Sequence, residues 1–253
     1  MHDKIIIVTG ASEGIGWATA RRLAQDGAAM VLAARGEEPL HQAVARIRDA
    51  GGRAEARVMD ITDSEAVRAV IADVARRYGR LDGLVNNAAT VSFSPIGQLS
   101  DSDWRATFAG GVDATFVATQ AALAVMLPQG SGSIVNVAST NGRRAMTGMA
   151  AYSASKAAVI HFSRVAAMEA APCGVRVNAV APGMVMTPGN VAFFADKPEI
   201  KRNVESLIPA GRAAQPAEIA GAIRFLLSDD ATFVNGVCLD VDGGKAAQMH
   251  MQY

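Results

Sequence analysis

Residues 4–16 read KIIIVTGASEGIG. The first six letters form an almost wholly apolar run, which is typical of a parallel strand covered on both faces. Gly10, Gly14 and Gly16 follow, at the point where a helical pattern begins. Glycines in this position allow a tight turn and let the backbone approach a pyrophosphate at the helix N-terminus. Because the spacing is not the Gly-x-Gly-x-x-Gly fingerprint, a glycine-rich turn without a ligand stays open as the alternative.

Short apolar runs alternate with longer helical patterns along the rest of the chain. We predict strands at 4–9, 29–34, 53–59, 81–86, 133–139, 175–181 and 236–241, and helices at 14–26, 37–50, 64–78, 101–127, 150–171 and 215–227. This alternation indicates βαβ units with right-handed crossovers, and therefore a parallel sheet with helices on both faces. The predicted fold class is α/β, with residues 1–253 forming a single doubly wound Rossmann-type domain.

One stretch, residues 184–212, interrupts the alternation with several prolines and glycines around apolar side chains. A long irregular insertion beside a regular scaffold is more often functional than accidental. We predict that it is a substrate lid.

Composition excludes several function classes. The 24 Lys and Arg residues balance 24 Asp and Glu residues, so no whole-molecule charge draws the chain to nucleic acid or to an anionic membrane. No uninterrupted apolar stretch approaches the roughly 18 residues that a membrane-spanning helix needs. The only two cysteines, Cys173 and Cys238, indicate a reducing compartment. We expect a cytoplasmic globular protein with neither nucleic acid nor membrane as a partner, and we predict no metal site.

A second motif, YSASK at residues 152–156, lies on the helix predicted after the fifth strand. Tyr152 and Lys156 are four residues apart and share one helix face. A phenol has a pKa of about 10, and a nearby ammonium lowers that pKa toward neutrality. Ser139 ends the preceding strand, at the edge where doubly wound folds bind ligands. In isolation, such a pair is more often a surface tyrosine stacked over a lysine, and such a serine an ordinary turn residue.

Together these motifs resemble those of the short-chain dehydrogenase/reductase family, over nearly the whole chain. NNAA at 86–89 resembles the family's Asn-Asn-Ala-Gly stretch, NAVAPG at 178–183 its motif after the sixth strand, and VDGG at 241–244 its C-terminal signature. The resemblance implies a reversible carbonyl–alcohol interconversion with a nicotinamide cofactor and a small-molecule substrate. Ser139, Tyr152 and Lys156 match the catalytic residues of the family. Tyr152 would transfer the proton, Ser139 would steady the substrate oxygen, and Lys156 would lower the pKa of the tyrosine and bind the ribose.

The resemblance also implies the cofactor contacts. Asp60 and Ile61 match the adenine-contact pair, and Val185 and Thr187 match the positions that bind the nicotinamide carboxamide. The full set of implied contacts is Gly10, Ser12, Glu13, Gly14, Ile15, Gly16, Arg35, Asp60, Ile61, Asn87, Tyr152, Lys156, Val185 and Thr187.

The end of the second predicted strand bears on the choice between NADP(H) and NAD(H). An NAD enzyme commonly places an acid here, about 20 residues after the glycine loop, to bind the ribose 2′-hydroxyl. Ala34 occupies that position, and Arg35 beside it can bind a 2′-phosphate. The negative charge of Glu13 disfavours a 2′-phosphate nearby, unless its carboxylate turns to solvent. We predict NADP(H) as the preferred cofactor, with NAD(H) as the alternative.

One position departs from the family pattern. When the helix after the fourth strand is aligned on Phe116, Gly111 takes the position of a catalytic asparagine. Because Gly110 and Gly111 each cost about 1 kcal/mol inside a helix, we expect a local distortion there. The missing side chain leaves open a second function class, a cofactor-binding protein with weak or no catalysis, such as a redox sensor. The dehalogenase branch of the fold is disfavoured, because it lacks the glycine loop and has arginine in place of Lys156.

The sequence constrains the substrate and the assembly less closely. Methionines and phenylalanines at 141–149 and 184–212 indicate a mostly apolar pocket, whereas Arg143 and Arg144 leave open a substrate with an anionic tail.

The helices at 101–127 and 150–171 are rich in alanine, which allows close helix contacts. Because these helices form the main subunit contact in the family, the resemblance implies a homotetramer. The alternative is that both helices pack only on their own sheet.

Overall fold

The apolar run that opens the chain lies in the middle of a seven-stranded parallel sheet. In the computed structural model, which describes residues 1–248, β1 (Ile5–Thr9) pairs with β2 (Ala29–Ala34) on one side and with β4 (Gly83–Asn86) on the other. The remaining strands are β3 (Arg53–Val58), β5 (Gly132–Val137), β6 (Val175–Pro182) and β7 (Cys238–Val241). The order across the sheet is β3-β2-β1-β4-β5-β6-β7. The direction of winding reverses between β1 and β4, where open α/β sheets bind ligands.

Helices connect these strands and cover both faces of the sheet. They are α1 (Gly14–Gln25), α2 (Glu37–Asp49), α3 (Ser64–Tyr78), α4 (Asp101–Phe108), α5 (Ala114–Gln129), α6 (Ala150–Ala170), α7 (Pro188–Phe194), α8 (Pro198–Ser206) and α9 (Pro216–Leu227). One core lies under α1, α2 and α9, and includes Val8, Leu32 and Ile223. The other lies under α3, α5 and α6, and includes Ile7, Val31 and Ile134. The predicted doubly wound fold is therefore confirmed, and residues 249–253 of the predicted domain lie outside the described residues.

Two of the predicted elements differ from the structure. The helix predicted at 101–127 is divided by a π-helical turn, Ala109–Asp113, which is the distortion expected from the paired glycines. The insertion at 184–212 is not irregular, because it contains α7 and α8. Pro188 and Pro198 each stand at the start of a helix, where proline has no intrahelical hydrogen bond to lose.

A hydrogen-bonded chain of buried polar side chains fixes β4 and β5 to the helices behind them. Asn86 Nδ2 donates to Asn136 Oδ1 at 2.9 Å and to Thr119 Oγ1 of α5 at 3.2 Å. Asn136 Nδ2 donates in turn to Ser163 Oγ of α6 at 2.8 Å. Because buried polar groups are costly when unpaired, this chain holds the two strands and the two helices in one register.

The stretch Asp101–Gln129 is, by length and composition alone, apolar enough to cross a membrane. In the fold it comprises α4, the π-helical turn and α5, and 50% of its most apolar window is buried. Ala118, Ala122 and Met126 of α5 belong to the core under the sheet. The apolar character of this stretch is that of a core helix.

Candidate active site

The glycine loop leaves the carboxyl end of β1 in a conformation that only glycine allows at several positions. Gly10 and Gly14 have φ angles of 62° and 57°, in the left-handed region. A Cβ atom on Gly16 would lie 2.3 Å from the Gly10 carbonyl oxygen. The loop therefore presents bare backbone at the start of α1, a cradle that fits a pyrophosphate.

Asn87, predicted as a cofactor contact, uses its side chain to hold this loop. Its Nδ2 donates to the carbonyls of Thr9 and Gly10, at 2.9 and 3.0 Å. Thr9 Oγ1 accepts from the backbone N–H groups of Asn87 and Ala88, at 3.0 and 3.1 Å. The loops that follow β1 and β4 are thus locked to each other. Thr9 was not among the predicted site residues, and nothing in its spacing distinguishes it.

The charged residues predicted for the adenosine end lie at the carboxyl ends of β2 and β3. Asp60 Oδ1 accepts from Thr62 N and Thr62 Oγ1, at 2.9 and 2.8 Å. These hydrogen bonds lower the pKa of Asp60, and the positive charge of Arg35 lowers it further. Arg35 is exposed directly after β2. Glu13 precedes α1 in an extended conformation, with φ at −154°, and its side chain does not cap the helix.

Ser139, Tyr152 and Lys156 come together beyond the carboxyl end of β5. Ser139 follows β5 and is buried, and its Oγ accepts from Asn141 N at 3.1 Å. Tyr152 lies in the first turn of α6, and Lys156 lies one turn further on. Lys156 Nζ lies 5.7 Å from the centre of the Tyr152 ring and donates to the Val137 carbonyl at 2.7 Å.

Burial shifts the pKa values of Tyr152 and Lys156 in opposite directions, because it disfavours the charged form of each. The pKa of Tyr152 is raised by burial, and an opposing hydrogen bond with the Ser139 hydroxyl has the smaller effect. The pKa of Lys156 is lowered by burial to about 8. At neutral pH the site thus holds a protonated phenol beside an ammonium whose pKa lies close to the ambient pH.

Comparisons with known proteins agree on one family. The family profile described as Enoyl-(Acyl carrier protein) reductase matches residues 10–246. The chain is 39% identical to cyclopentanol dehydrogenase of Comamonas sp. (strain NCIMB 9872), over 98% of each chain. It is 41% identical to cis-4-hydroxycyclohexanecarboxylate dehydrogenase of Sinomonas cyclohexanicum, over 97% of each chain. The chain belongs to the short-chain dehydrogenase/reductase family.

A solved structure extends this agreement from sequence to fold. The crystal structure of an actinorhodin polyketide ketoreductase variant with NADPH superposes with a TM-score of 0.93, at 34% identity. The match covers 98% of this chain and 100% of that one. Proteins of this short-chain dehydrogenase/reductase group act on alcohols and carbonyls, and the NADPH in the related structure supports the use of a nicotinamide cofactor here.

Gly111, which stands at the family's asparagine position, lies on the π-helical turn and faces α6. Its carbonyl accepts from Thr115 Oγ1 at 2.7 Å. A Cβ atom at this position would lie 3.3 Å from Ser155 Oγ. The carbonyl therefore already has a hydroxyl partner, and the side-chain amide that the family usually has here is missing. Thr115 was not predicted, although a threonine hydroxyl in a helix often binds the carbonyl four residues before it.

The start of the predicted lid lies against the glycine loop. Thr187 Cγ2 is 3.4 Å from the position that a Cβ on Gly14 would take. The Val185 carbonyl accepts from Thr187 N and from Asn190 Nδ2, each at 2.8 Å. Val185 and Thr187 thus lie at the same edge of the sheet as the glycine loop. Asn190 was not predicted.

Arg143 and Arg144, whose charge had suggested a substrate with an anionic tail, instead bind groups within the protein. Arg143 Nη1 donates to Asp240 Oδ2 and its Nη2 to the Cys238 carbonyl, both at 2.7 Å. Arg144 Nη2 donates to the Ala246 carbonyl at 2.9 Å. Both arginines anchor the connection between β5 and α6 to the C-terminal part of the chain, which disfavours a role as substrate anchors.

Replacing Gly16 with alanine tests the cradle. We expect Gly16→Ala to weaken NADPH binding by about tenfold or more, because the new methyl group displaces backbone N–H groups that bind the charged phosphates. Titration of cofactor fluorescence measures the affinity, and circular dichroism checks the fold. Gly221→Ala in α9 is the matched control, since a Cβ there meets nothing within 4 Å. Equal affinity in the two variants would contradict the assignment.

Proposed function

We propose that the protein is an NADP(H)-preferring oxidoreductase that interconverts a carbonyl and a secondary alcohol, with Tyr152 as the general acid and base. The observation that carries the proposal is the grouping of Ser139, Tyr152 and Lys156 at the sheet edge from which the glycine loop also leaves. A proton donor, a second hydroxyl and a cation then surround one substrate oxygen.

The glycine loop, Arg35 and Lys156 would hold a nicotinamide cofactor, which would supply hydride chemistry for reduction of the carbonyl carbon. Tyr152 gives its phenolic proton to the oxygen that becomes the alcohol, and the Ser139 hydroxyl donates a hydrogen bond to the same oxygen. The raised pKa of Tyr152 keeps this proton in place at neutral pH. Oxidation of the alcohol needs the phenolate, so its rate should rise with pH. Lys156 Nζ, which is charged below about pH 8, places a positive charge 5.7 Å from the centre of the Tyr152 ring.

The preference for NADP(H) rests on the end of β2. Ala34 offers no carboxylate to the ribose 2′-hydroxyl, and Arg35 is exposed beside it. An arginine can bind a 2′-phosphate through two donors, which a 2′-hydroxyl does not match. Asp60 lies near Arg35, and the hydrogen bonds from Thr62 occupy one of its carboxylate oxygens. Glu13 does not use its side chain to cap α1, so it is free to turn toward solvent.

A second candidate function is cofactor binding with weak or no turnover, as in a redox sensor. Gly111 favours this second candidate, because the side chain of the family's asparagine is missing there and the Gly111 carbonyl accepts a hydrogen bond from Thr115. Stoichiometric NADPH binding without turnover of any member of a broad carbonyl and alcohol panel would favour this candidate over the oxidoreductase. We prefer the oxidoreductase because Ser139, Tyr152 and Lys156 are all present and grouped.

Catalysis by Tyr152 can be tested by removing one oxygen atom. We expect Tyr152→Phe to lower kcat by about 10²- to 10⁴-fold, because the variant lacks the transferable proton. Cofactor affinity and thermal stability should stay near those of the wild type. Tyr78→Phe is the control, since Tyr78 ends α3, away from the site. Wild-type turnover by Tyr152→Phe would refute the mechanism.

Cofactor choice can be tested at Arg35. The ratio of kcat/KM with NADPH to kcat/KM with NADH should exceed one in the wild type. This ratio should fall by about tenfold or more in Arg35→Ala, because the variant loses one or two charge-assisted hydrogen bonds to the 2′-phosphate. Arg76→Ala, at an exposed ion pair on α3, provides the control. A wild-type preference for NADH, or a ratio that Arg35→Ala leaves unchanged, would overturn the assignment.

We further propose a cytoplasmic homotetramer. Exposed apolar side chains on α4, α5 and α6, namely Trp104, Phe116, Val165 and Met168, support a subunit contact on this face. Light scattering at micromolar concentration should give about four times the chain mass of 26.2 kDa. A mass near that of a single chain would contradict the assembly and would leave Phe116 and Met168 as ordinary surface residues.

A further inference from the structure

Three segments border the reacting groups, and each leaves the same edge of the sheet. Residues 87–100 follow β4, residues 138–149 follow β5, and residues 183–212 follow β6. The first two are in contact, because Ser94 N donates to the Gly148 carbonyl at 2.8 Å. The Phe93 ring covers Gly148 so closely that a Cβ there would lie 2.8 Å from a ring carbon. These three segments are called the walls below.

Large apolar side chains project from all three walls without being covered. Each of the following is more than half exposed: Val91, Phe93, Met146, Val191, Phe193 and Leu207. Exposed apolar side chains on segments that border a site are typical of a ligand-binding surface. The walls thus offer a substrate mainly apolar contact.

The cations of the walls, by contrast, are already bound. The segment after β4 contains neither lysine nor arginine. Arg143 and Arg144 donate to Asp240, Cys238 and Ala246, as described above. An anionic substrate that drew either guanidinium away from these partners would leave the Asp240 carboxylate or a backbone carbonyl without this donor.

The same holds for the wall after β6. Arg212 makes two hydrogen bonds of 2.7 Å with Glu218. Lys197 donates to Asp196 and to the Phe193 carbonyl, each at 3.2 Å, and lies 4.6 Å from the centre of the Phe193 ring. The two remaining cations of this wall, Lys201 and Arg202, pair with glutamates one helical turn away, namely Glu205 and Glu199.

Lys245, from the C-terminal part of the chain, is bound as well. Its Nζ donates to the Leu207 carbonyl at 2.9 Å, and Gln248 Nε2 donates to the same oxygen at 2.9 Å. In the part of the chain that the structure describes, every lysine and arginine on the walls, and Lys245 beside them, has a carboxylate or carbonyl partner. An anion arriving at the walls would meet apolar side chains and cations that already bind carboxylates or carbonyls within the protein.

From this distribution we infer that the substrate is an uncharged, apolar ketone or secondary alcohol, and that the walls discriminate against carboxylate and phosphate groups. The inference rests on the proposed function, whose site it deepens. The inference distinguishes between two substrate classes, which the names of two relatives illustrate. Cyclopentanol is neutral, and cis-4-hydroxycyclohexanecarboxylate is an anion. This chain falls on the side of the neutral class.

A matched pair of ketones tests the inference. Methyl 4-oxocyclohexanecarboxylate and 4-oxocyclohexanecarboxylate share one ring and differ in charge at pH 7. We expect kcat/KM with NADPH to be at least tenfold higher for the methyl ester. Equal or higher kcat/KM for the free carboxylate would overturn the inference while leaving the proposed oxidoreductase function intact.

Binding gives a readout that does not depend on turnover. With NADPH present, Tyr152→Phe should bind the methyl ester at least tenfold more tightly than the carboxylate, as measured by quenching of cofactor fluorescence. If the wild type turns over neither ketone while this binding preference is found, the proposed function fails and the inference stands. Equal binding of the two ketones would overturn the inference.

A new cation on the walls should reverse the selectivity. Met146 lies with its Sδ 3.8 Å from Asn141 Nδ2, between Ser139 and Tyr152 in the chain. We expect Met146→Arg to lower the ester-to-carboxylate ratio of kcat/KM at least tenfold. The reason is that the new guanidinium could bind the carboxylate, whereas the other cations of the walls already have partners. Met146→Leu, of similar volume and uncharged, should retain the wild-type ratio. A ratio that both variants leave unchanged would contradict the inference, because a cation added to the walls would then have no effect on the selection by charge.

Discussion

The carboxamide of Asn87 holds together the two loops on which the whole site is built. Its two hydrogen bonds to the Thr9 and Gly10 carbonyls fix the glycine loop to the end of β4. Gly16 must lack a side chain because the same carbonyl of Gly10 lies against it. The start of the predicted lid lies beside this loop, because Thr187 Cγ2 is 3.4 Å from the position that a Cβ on Gly14 would take. Loss of this one amide would remove a donor from each of the two carbonyls and would loosen the loop predicted to bind the cofactor phosphates.

Burial then sets the chemistry of the reacting groups. It disfavours both the phenolate of Tyr152 and the ammonium of Lys156, and so raises the pKa of the tyrosine and lowers that of the lysine. The Val137 carbonyl accepts from Lys156 at the end of β5, which holds the ammonium behind the Tyr152 ring. A phenol that keeps its proton at neutral pH suits donation of that proton to the substrate oxygen in the direction of reduction.

The sequence predicts those features that depend on local pattern, and misses those that depend on distant partners. Periodicity and glycine spacing are sufficient for the strands, the loop and the Tyr152–Lys156 face. They do not reveal that Asn87 supports the loop, because the Thr9 and Gly10 carbonyls lie 78 and 77 residues away from it in the chain. The helices α7 and α8 were missed because proline reads as a breaker. A proline at the first position of a helix instead has its φ already set and no N–H to satisfy.

The same contrast explains why the arginines of the β5–α6 connection resembled substrate anchors in the sequence. Their partners lie 97 and 102 residues further along the chain, at Asp240 and Ala246, and no local pattern connects them. Asp242 turns the chain after β7 by accepting from Gly244 N and Ala246 N, which presents the Ala246 carbonyl to Arg144. The charged side chains of the walls are thus used to hold the walls in place. Selection of the substrate is then left to the apolar side chains between them, and so to shape and desolvation, which penalise a charged group most.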